Sequence, residues 1–206
     1  MTTIPSGRYS KEKQEWKRKA ERSVGAAKTT REAILEAAYA LIQNEGIGRL
    51  TLDAVAEQAK ISKGGLLYHF PSKEALIEGM IDHLFKDFHQ QIENDISMEP
   101  CSPGKWARAY VRTAFLSTEQ ELKISVGLLA ALVNKPELLE PVRRYYEGWQ
   151  ERLERDGIDP GAATICRLAA DGLWFAEMFG LAPLANRELR ERVQHLLISM
   201  SKGEAR

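Results

Sequence analysis

Residues 61–76 read ISKGGLLYHFPSKEAL, and this stretch decides the fold. Ser62 has the chemistry of a helix N-cap, Pro71 disfavours helical geometry at Phe70 and so closes the short helix between them, and Ser72 opens another. Gly64 and Gly65 nevertheless sit inside that short helix, where each costs about 0.8 to 1 kcal/mol relative to alanine. Upstream, Thr51 caps a preceding short helix whose Leu52, Val55, Ala56 and Ala59 share one side, and only Lys60-Ile61 separates it from Ser62. Two short helices joined by a tight turn make a helix-turn-helix. Before them, Thr29 and Glu32 have capping-box spacing, and Ile34, Ala38, Leu41 and Ile42 form an apolar stripe that ends near Glu45-Gly46.

Further along, Ser72 begins a fourth helix with Leu76, Ile77, Met80, Ile81, Leu84, Phe85 and Phe88 on one face. The Glu99-Pro100-Cys101-Ser102-Pro103 segment interrupts the pattern. Further helices are predicted at about 103–117, 119–134, 136–156, 160–182 and 186–200, with Pro136, Asp156-Gly157, Pro160 and Pro183 as punctuation. The periodicity is helical throughout, so the chain is predicted to be all-α with about nine helices: a basic arm over 1–28, a three-helix helix-turn-helix domain over 29–73, and a helical domain over 74–206. The arm itself has at most a weak helix from about Ser10 to Arg22. The segment 160–182 is apolar on all sides, which predicts burial by its own domain on one face and by something else on another.

The 206 residues carry no formal net charge, yet residues 1–73 hold 13 Lys or Arg against 8 Asp or Glu. A basic first third facing an acidic remainder is expected where one end meets nucleic acid. The arm, with Arg8, Lys11, Lys13, Lys17, Arg18, Lys19, Arg22 and Lys28, can lie along phosphates or serve as a solubilising tail. Cys101 and Cys166 have neither disulfide-framework nor zinc spacing, which fits a reducing cytoplasm. No apolar run has the length of a signal-peptide core or a membrane span. No Ser/His/Asp or Cys/His set and no glycine-rich phosphate loop points to catalysis, and His83 and His89 fall on different faces of one helix, so no metal site and no cofactor are expected.

In a helix-turn-helix the second short helix enters the major groove and its amino-terminal residues reach base edges. Here that end is Ser62-Lys63-Gly64-Gly65. The glycines either let the backbone approach DNA closely or only ease a tight turn. The run TLDAVAEQAKISKGGLLYHFPSKEALI, preceded by REAILEAAYALIQNEGIGRL, resembles the DNA-binding domain of the TetR family of bacterial transcriptional regulators, over about residues 29–77. The resemblance implies that Thr51 meets a phosphate while capping its helix and that Lys63 and Gly64 approach bases; Ser62 offers a hydroxyl to DNA at the same helix end. It also implies that Tyr68, His69 and Lys73 bind the DNA backbone. Gly65 stands where the family often has Thr or Asn. Leu67 stands where it often has an aromatic or small polar residue, and can touch a thymine methyl but makes no polar base contact. His69 alternatively braces its own helix.

Binding to a pseudo-palindromic operator in double-stranded DNA requires a second copy. Leu168, Gly172, Phe175 and Phe179, with Leu189, Val193, Leu196, Leu197 and Met200, offer a four-helix homodimer contact, or else a monomer core. The resemblance also implies a pocket for a small-molecule effector. Trp106, Tyr110, Phe115, Leu128, Leu132, Tyr145, Tyr146, Trp149, Trp174 and Met178 either line it, for an apolar or aromatic ligand, or are plain core. Asp171 and Glu177, on an otherwise apolar helix, need partners: a cationic ligand, Arg167 or Arg187, or helix ends across a dimer. The expectation is therefore a homodimeric, cytoplasmic DNA-binding regulator, a repressor released by its ligand. The alternative is an all-α small-molecule-binding protein or enzyme with no regulatory DNA role.

Overall fold

The computed structural model describes residues 29–202 except 183, with the side chains of Val133 and Asn134 also left out; the basic arm and its weak helix lie outside the described residues. Among the described residues there are nine α-helices and no strand. The first three are α1 (Thr30–Glu45), α2 (Leu52–Gln58) and α3 (Lys63–His69), and the long α4 spans Lys73–Met98. They are followed by α5 (Lys105–Ala114), α6 (Glu119–Asn134), α7 (Glu140–Glu154), α8 (Pro160–Phe179) and α9 (Arg187–Met200).

The helix starts follow local chemistry. Thr29 and Glu32 exchange both capping-box hydrogen bonds, and Thr51, Ser62 and Ser72 each accept from the backbone N–H three residues on, at 3.1 to 3.2 Å. Each of these bonds satisfies one amide that a helix start leaves without a partner. α5 starts differently. Its N-cap is Gly104, so Asp156 reaches across from the end of α7 and accepts from the N–H groups of Trp106 and Ala107 at 3.0 and 2.8 Å. Gly104 has φ +74°, and a Cβ there would lie 1.7 Å from the Ser201 carbonyl oxygen, so only glycine fits.

The helix expected over 103–117 is the shorter Lys105–Ala114, and two further boundaries differ. The segment expected as one helix over 136–156 is a 3-10 turn, Pro136–Leu139, followed by α7. Pro141 has no N–H to give the Glu137 carbonyl, which accepts instead from Glu140 in the tighter 3-10 pattern. The helix expected to run to 182 ends at Phe179 because Gly180 takes the left-handed conformation, φ +64°.

The core crosses the expected boundary at residue 73. Ile34, Leu41 and Ile42 of α1, Leu66 and Phe70 around α3, and Leu76 and Met80 of α4 share one buried cluster with Ile124, Leu128 and Leu132 of α6. The two helices approach closely at Gly127, where a Cβ would lie 2.8 Å from Ile42 Cγ2. The second half of α4 belongs to another cluster, with Ile92 buried among Trp106, Tyr110, Trp149 and Leu153. Helix α4 thus joins the two.

Candidate nucleic-acid interface and effector cavity

The turn from α2 to α3 is made by Lys60 in the left-handed region, φ +56°, and closes when the Ile61 N–H donates to the Ala56 carbonyl at 3.0 Å. This fixes α3 against α2 and leaves one side of it outward. Leu66 is fully buried, whereas Tyr68 is 85% exposed and Leu67 is exposed beside it. Of the residues expected to meet DNA, Thr51, Ser62, Lys63, Gly64, Leu67 and Tyr68 are exposed, and Gly65, His69 and Lys73 are half-buried. Ser62 and Thr51 use oxygen lone pairs in capping, so each hydroxyl proton stays available to an outside acceptor. Lys63 Nζ is 2.8 Å from Asp53 Oδ1 on α2. The Tyr68 ring meets the half-buried His69 ring edge-on, centroids 5.2 Å apart. Lys73 is half-buried at the first position of α4.

The glycines are now separable. Neither has a positive φ, so turn geometry requires neither. A Cβ on Gly64 would meet nothing within 4 Å, while one on Gly65 would lie 3.3 Å from the capping Ser62 Oγ. Packing among the described residues thus gives a reason for Gly65 and none for Gly64. Gly79 on α4 has a different reason: its Cβ would lie 2.5 Å from Phe70 Cε1, the residue that ends α3. Arg31 covers that ring, its guanidinium carbon 5.0 Å from the centroid.

A cavity of about 290 Å³ lies between this unit and the rest of the chain. Its inner wall is aromatic, with Phe85 and Phe88 of α4, Tyr110 of α5, Tyr146 and Trp149 of α7, and Trp174 of α8. Phe85 stacks on Trp149 with centroids 5.8 Å apart. Thr113, Ser117, Ser125 and Gln91 add neutral polar groups. Deepest among the charges is Asp171, which accepts from the Tyr110 hydroxyl at 2.6 Å and from Arg167 at 2.9 Å. Burial pushes the Asp171 carboxyl up, against the pull of those two donors. Burial likewise pushes the Tyr110 phenol up, so it stays a donor.

The DNA-facing unit itself contributes Glu36 and Tyr39 of α1 to the wall. The Tyr39 hydroxyl donates to the Met80 carbonyl of α4 at 2.7 Å, and its ring lies 5.8 Å from that of His83, which pairs with Asp87 at 3.0 Å. Neither Glu36 nor Tyr39 was singled out from the sequence, since both sit in a helix that the helix-turn-helix pattern already accounts for.

The chain was compared with known proteins. The family model described as "Bacterial regulatory proteins, tetR family" matches residues 34–80, and one described as "Tetracyclin repressor-like, C-terminal domain" matches residues 104–202. The HTH-type transcriptional regulator LmrA of Bacillus subtilis (strain 168) is 32% identical over 159 residues, 69% of this chain and 83% of that protein. The chain belongs to the TetR family.

Other similar proteins include the HTH-type transcriptional regulator BetI of Paraburkholderia xenovorans (strain LB400), 26% identical over 162 residues, 73% of this chain and 83% of that one. Among solved structures, a transcriptional regulator from Rhodococcus sp. Rha1 superposes with a TM-score of 0.69 at 18% identity, over 86% of this chain and all of that one. The multidrug binding protein EbrR complexed with ethidium does so at 0.63 and 19%, over 84% and 99%. As a TetR-family member the chain is a transcriptional regulator with a DNA-binding helix-turn-helix and a ligand-binding domain, and not an enzyme. Among the described residues no helix is long and apolar enough to cross a membrane, and no group of three or more His, Cys, Asp or Glu could hold a metal ion.

In this TetR-family chain only some of the residues expected in a pocket reach the cavity. Tyr110, Tyr146, Trp149 and Trp174 line it; Trp106, Phe115, Leu128, Leu132, Tyr145, Glu177 and Met178 do not. Trp106 packs on Tyr110 within the core, and Leu128 belongs to the cluster around Ile42. Phe115 lies under the Arg190 guanidinium. Tyr145 covers the outside of Phe85 and donates to Asp82 at 3.3 Å. Met178 is buried away from the cavity wall. Glu177 pairs with Arg190, while Arg187 pairs with Glu191 one turn on. The dimer set also divides. Leu168, Gly172, Phe175, Phe179, Leu189 and Leu196 are exposed, and Val193 and Met200 half-buried, but Leu197 is buried within the chain, where its carbonyl accepts from Cys166 Sγ at 3.3 Å. That burial takes Leu197 off the surface.

Proposed function

We propose that this regulator is a homodimeric, cytoplasmic repressor that leaves a pseudo-palindromic operator when a small aromatic ligand fills its cavity. One observation carries the reading: the cavity wall includes α1 and α4, the helices that hold the recognition unit, so an occupant touches the parts that set its position. A ligand shifts such an equilibrium only through unequal affinity for the two arrangements. One that packs between Tyr39 and the aromatic wall has that leverage.

On the DNA side, Lys63, Gly64 and Leu67 are assigned to base edges, with Gly65 allowing close approach. Thr51, Ser62, Tyr68, His69 and Lys73 are assigned to phosphates. The hydroxyl protons of Thr51 and Ser62 support this assignment, as does the exposure of Tyr68 without any packing need. The second copy is held by the outer sides of α8 and α9. Leu168, Phe175, Phe179, Leu189 and Leu196 are all exposed on those two helices, and large apolar side chains left in water favour a covering partner. EbrR, a similar fold, was solved with ethidium and malachite green, and those aromatic ligands accord with the aromatic wall found here.

Fluorescence anisotropy on the DNA upstream of the chain's own gene tests the reading. Saturable binding that outcompetes random duplex, and that an aromatic ligand reverses, is expected. Binding no tighter than to random duplex at moderate salt would sink it.

A further inference from the structure

Thr113 of α5 lines the cavity and is only 4% exposed, yet its hydroxyl makes no hydrogen bond among the described residues. Its oxygen is not sealed inside the core either, so the space it opens onto is the cavity that its residue lines. A buried hydroxyl without a partner costs stability, and native structures keep few of them. A helical residue of this kind has a ready remedy in the carbonyl four residues back. Ser125 of α6 uses it, donating to Glu121 at 2.8 Å; Thr113 does not. Other wall hydroxyls already give their protons away. Tyr110 donates to Asp171 at 2.6 Å and Ser117 to the Ala114 carbonyl at 3.1 Å, so both, like Ser125, can still receive a hydrogen bond but have none to give. The Asp171 carboxylate is met by Tyr110 and Arg167, so it calls for no charged ligand.

We propose that the cavity takes an uncharged aromatic ligand bearing a hydroxyl, which accepts from Thr113 and donates to Ser117 while its rings sit among Phe85, Phe88 and Trp149. The proposal rests on the effector reading above and gives it a ligand class. A hydroxyl both gives and takes a hydrogen bond, so one group serves the two side chains. The Ser117 bond to the Ala114 carbonyl, on the residue after Thr113, keeps that acceptor at the same end of α5. An ether in the same place accepts from Thr113 and offers nothing to Ser117. A bare hydrocarbon displaces water from both and replaces neither bond. A site with a polar group waiting for a hydroxyl rejects the analogue that lacks one, because the buried group is then left unpaired.

Equilibrium dialysis of the full chain at pH about 7, where a phenol is uncharged, tests this with three probes of one ring: β-naphthol, its methyl ether and naphthalene. Naphthol is expected to bind about tenfold tighter than naphthalene, with the ether between them. Transfer out of water alone would give the opposite order. Thr113→Val should bring naphthol and naphthalene to within about twofold of each other and leave naphthalene no weaker, whereas Thr113→Ser, which restores the hydroxyl, should keep the preference. Ser117→Ala should remove the advantage of naphthol over the ether. Thermal melts check that each variant folds, and if Thr113→Val does not, the Ser117→Ala result decides. Naphthalene or the ether binding as tightly as naphthol, no binding by any probe, or a preference that survives the decisive variant would overturn the proposal. A parallel operator-release assay separates the two readings. Naphthol-selective binding without release leaves this selectivity standing and removes the effector role; release by naphthalene as readily as by naphthol does the reverse.

Discussion

Lys63, the first residue of α3, is held by Asp53 of α2, Nζ to Oδ1 at 2.8 Å. The side chain assigned to a base edge is thus already engaged within the protein, and DNA has to compete for it. Both groups are exposed, so the pair contributes about 0 to 1 kcal/mol to stability. Asp53→Asn should leave thermal stability nearly unchanged and tighten operator binding about threefold to tenfold. In a Lys63→Met background the gain should shrink, as anisotropy titrations around the double-mutant cycle would reveal. An undiminished gain would mean that Asp53 acts by general repulsion of DNA.

Gly64 and Gly65 should respond differently to alanine. Gly64→Ala meets open space and should raise stability by about 0.5 to 1 kcal/mol through helix propensity. Gly65→Ala should gain less, since its Cβ crowds Ser62 Oγ at 3.3 Å. Both should weaken operator binding. Urea denaturation read beside anisotropy makes the test: a variant that is more stable and binds DNA as tightly and selectively as before would show that bare backbone is not needed there.

Gly79→Ala should be costly even though alanine favours helices. The new Cβ at 2.5 Å from Phe70 Cε1 forces the ring aside, and such overpacking costs about 1 to 3 kcal/mol. The Phe70 N–H donates to Leu66 at 2.9 Å, so a displaced ring pulls on the end of α3. Lower stability and weaker DNA binding should therefore appear together. A smaller Leu at position 70, in the same background, should restore part of both.

Acid should loosen the junction of α4 and α5. Burial raises the Glu99 carboxyl, but Arg108 and Arg112 outweigh it and hold the pKa at about 2. A carboxylate lowered on folding stabilises above its unfolded pKa, near 4.5, and that contribution fades as pH falls toward 2. Glu99→Gln should cost stability at neutral pH and flatten the acid limb across that window. Thermal melts of parent and variant from pH about 5 down to about 2 read the effect; parallel acid limbs would exclude this network as its source.

Charge on the outer side of α8 should separate the copies. Phe175 and Phe179, with ring centroids 4.8 Å apart, are exposed. Phe175→Lys should give a folded monomer in sedimentation velocity with a much reduced operator affinity. A variant that stays dimeric would move the interface elsewhere.

The legible parts of this molecule were those governed by neighbours in sequence. Thr29, Thr51, Ser62 and Ser72 were placed as caps because capping is a contact over three residues, and Pro71 as a stop because its ring acts on the residue before it. The cavity was less legible. Trp106 and Trp149 are both tryptophans buried in one core cluster, yet only Trp149 also borders the cavity. That difference depends on how several helices meet, and no periodicity encodes it. Glu36 carried a faint signal, a carboxylate one turn before Tyr39, but its motif assigned the helix to DNA binding. Lys60 gave none, because its left-handed turn sits where glycine would have been the readable choice.

The fit of Ile42 against Gly127 has a bearing on how such regulators are rebuilt. The reading unit is not a cartridge that can be unplugged at residue 73, because α6 completes its interior. A hybrid that grafts the first seventy or so residues of a relative onto this body inherits a mismatched seam wherever that relative carries a bulkier residue opposite α1. Swaps that move residues 124–132 together with the graft keep the seam intact.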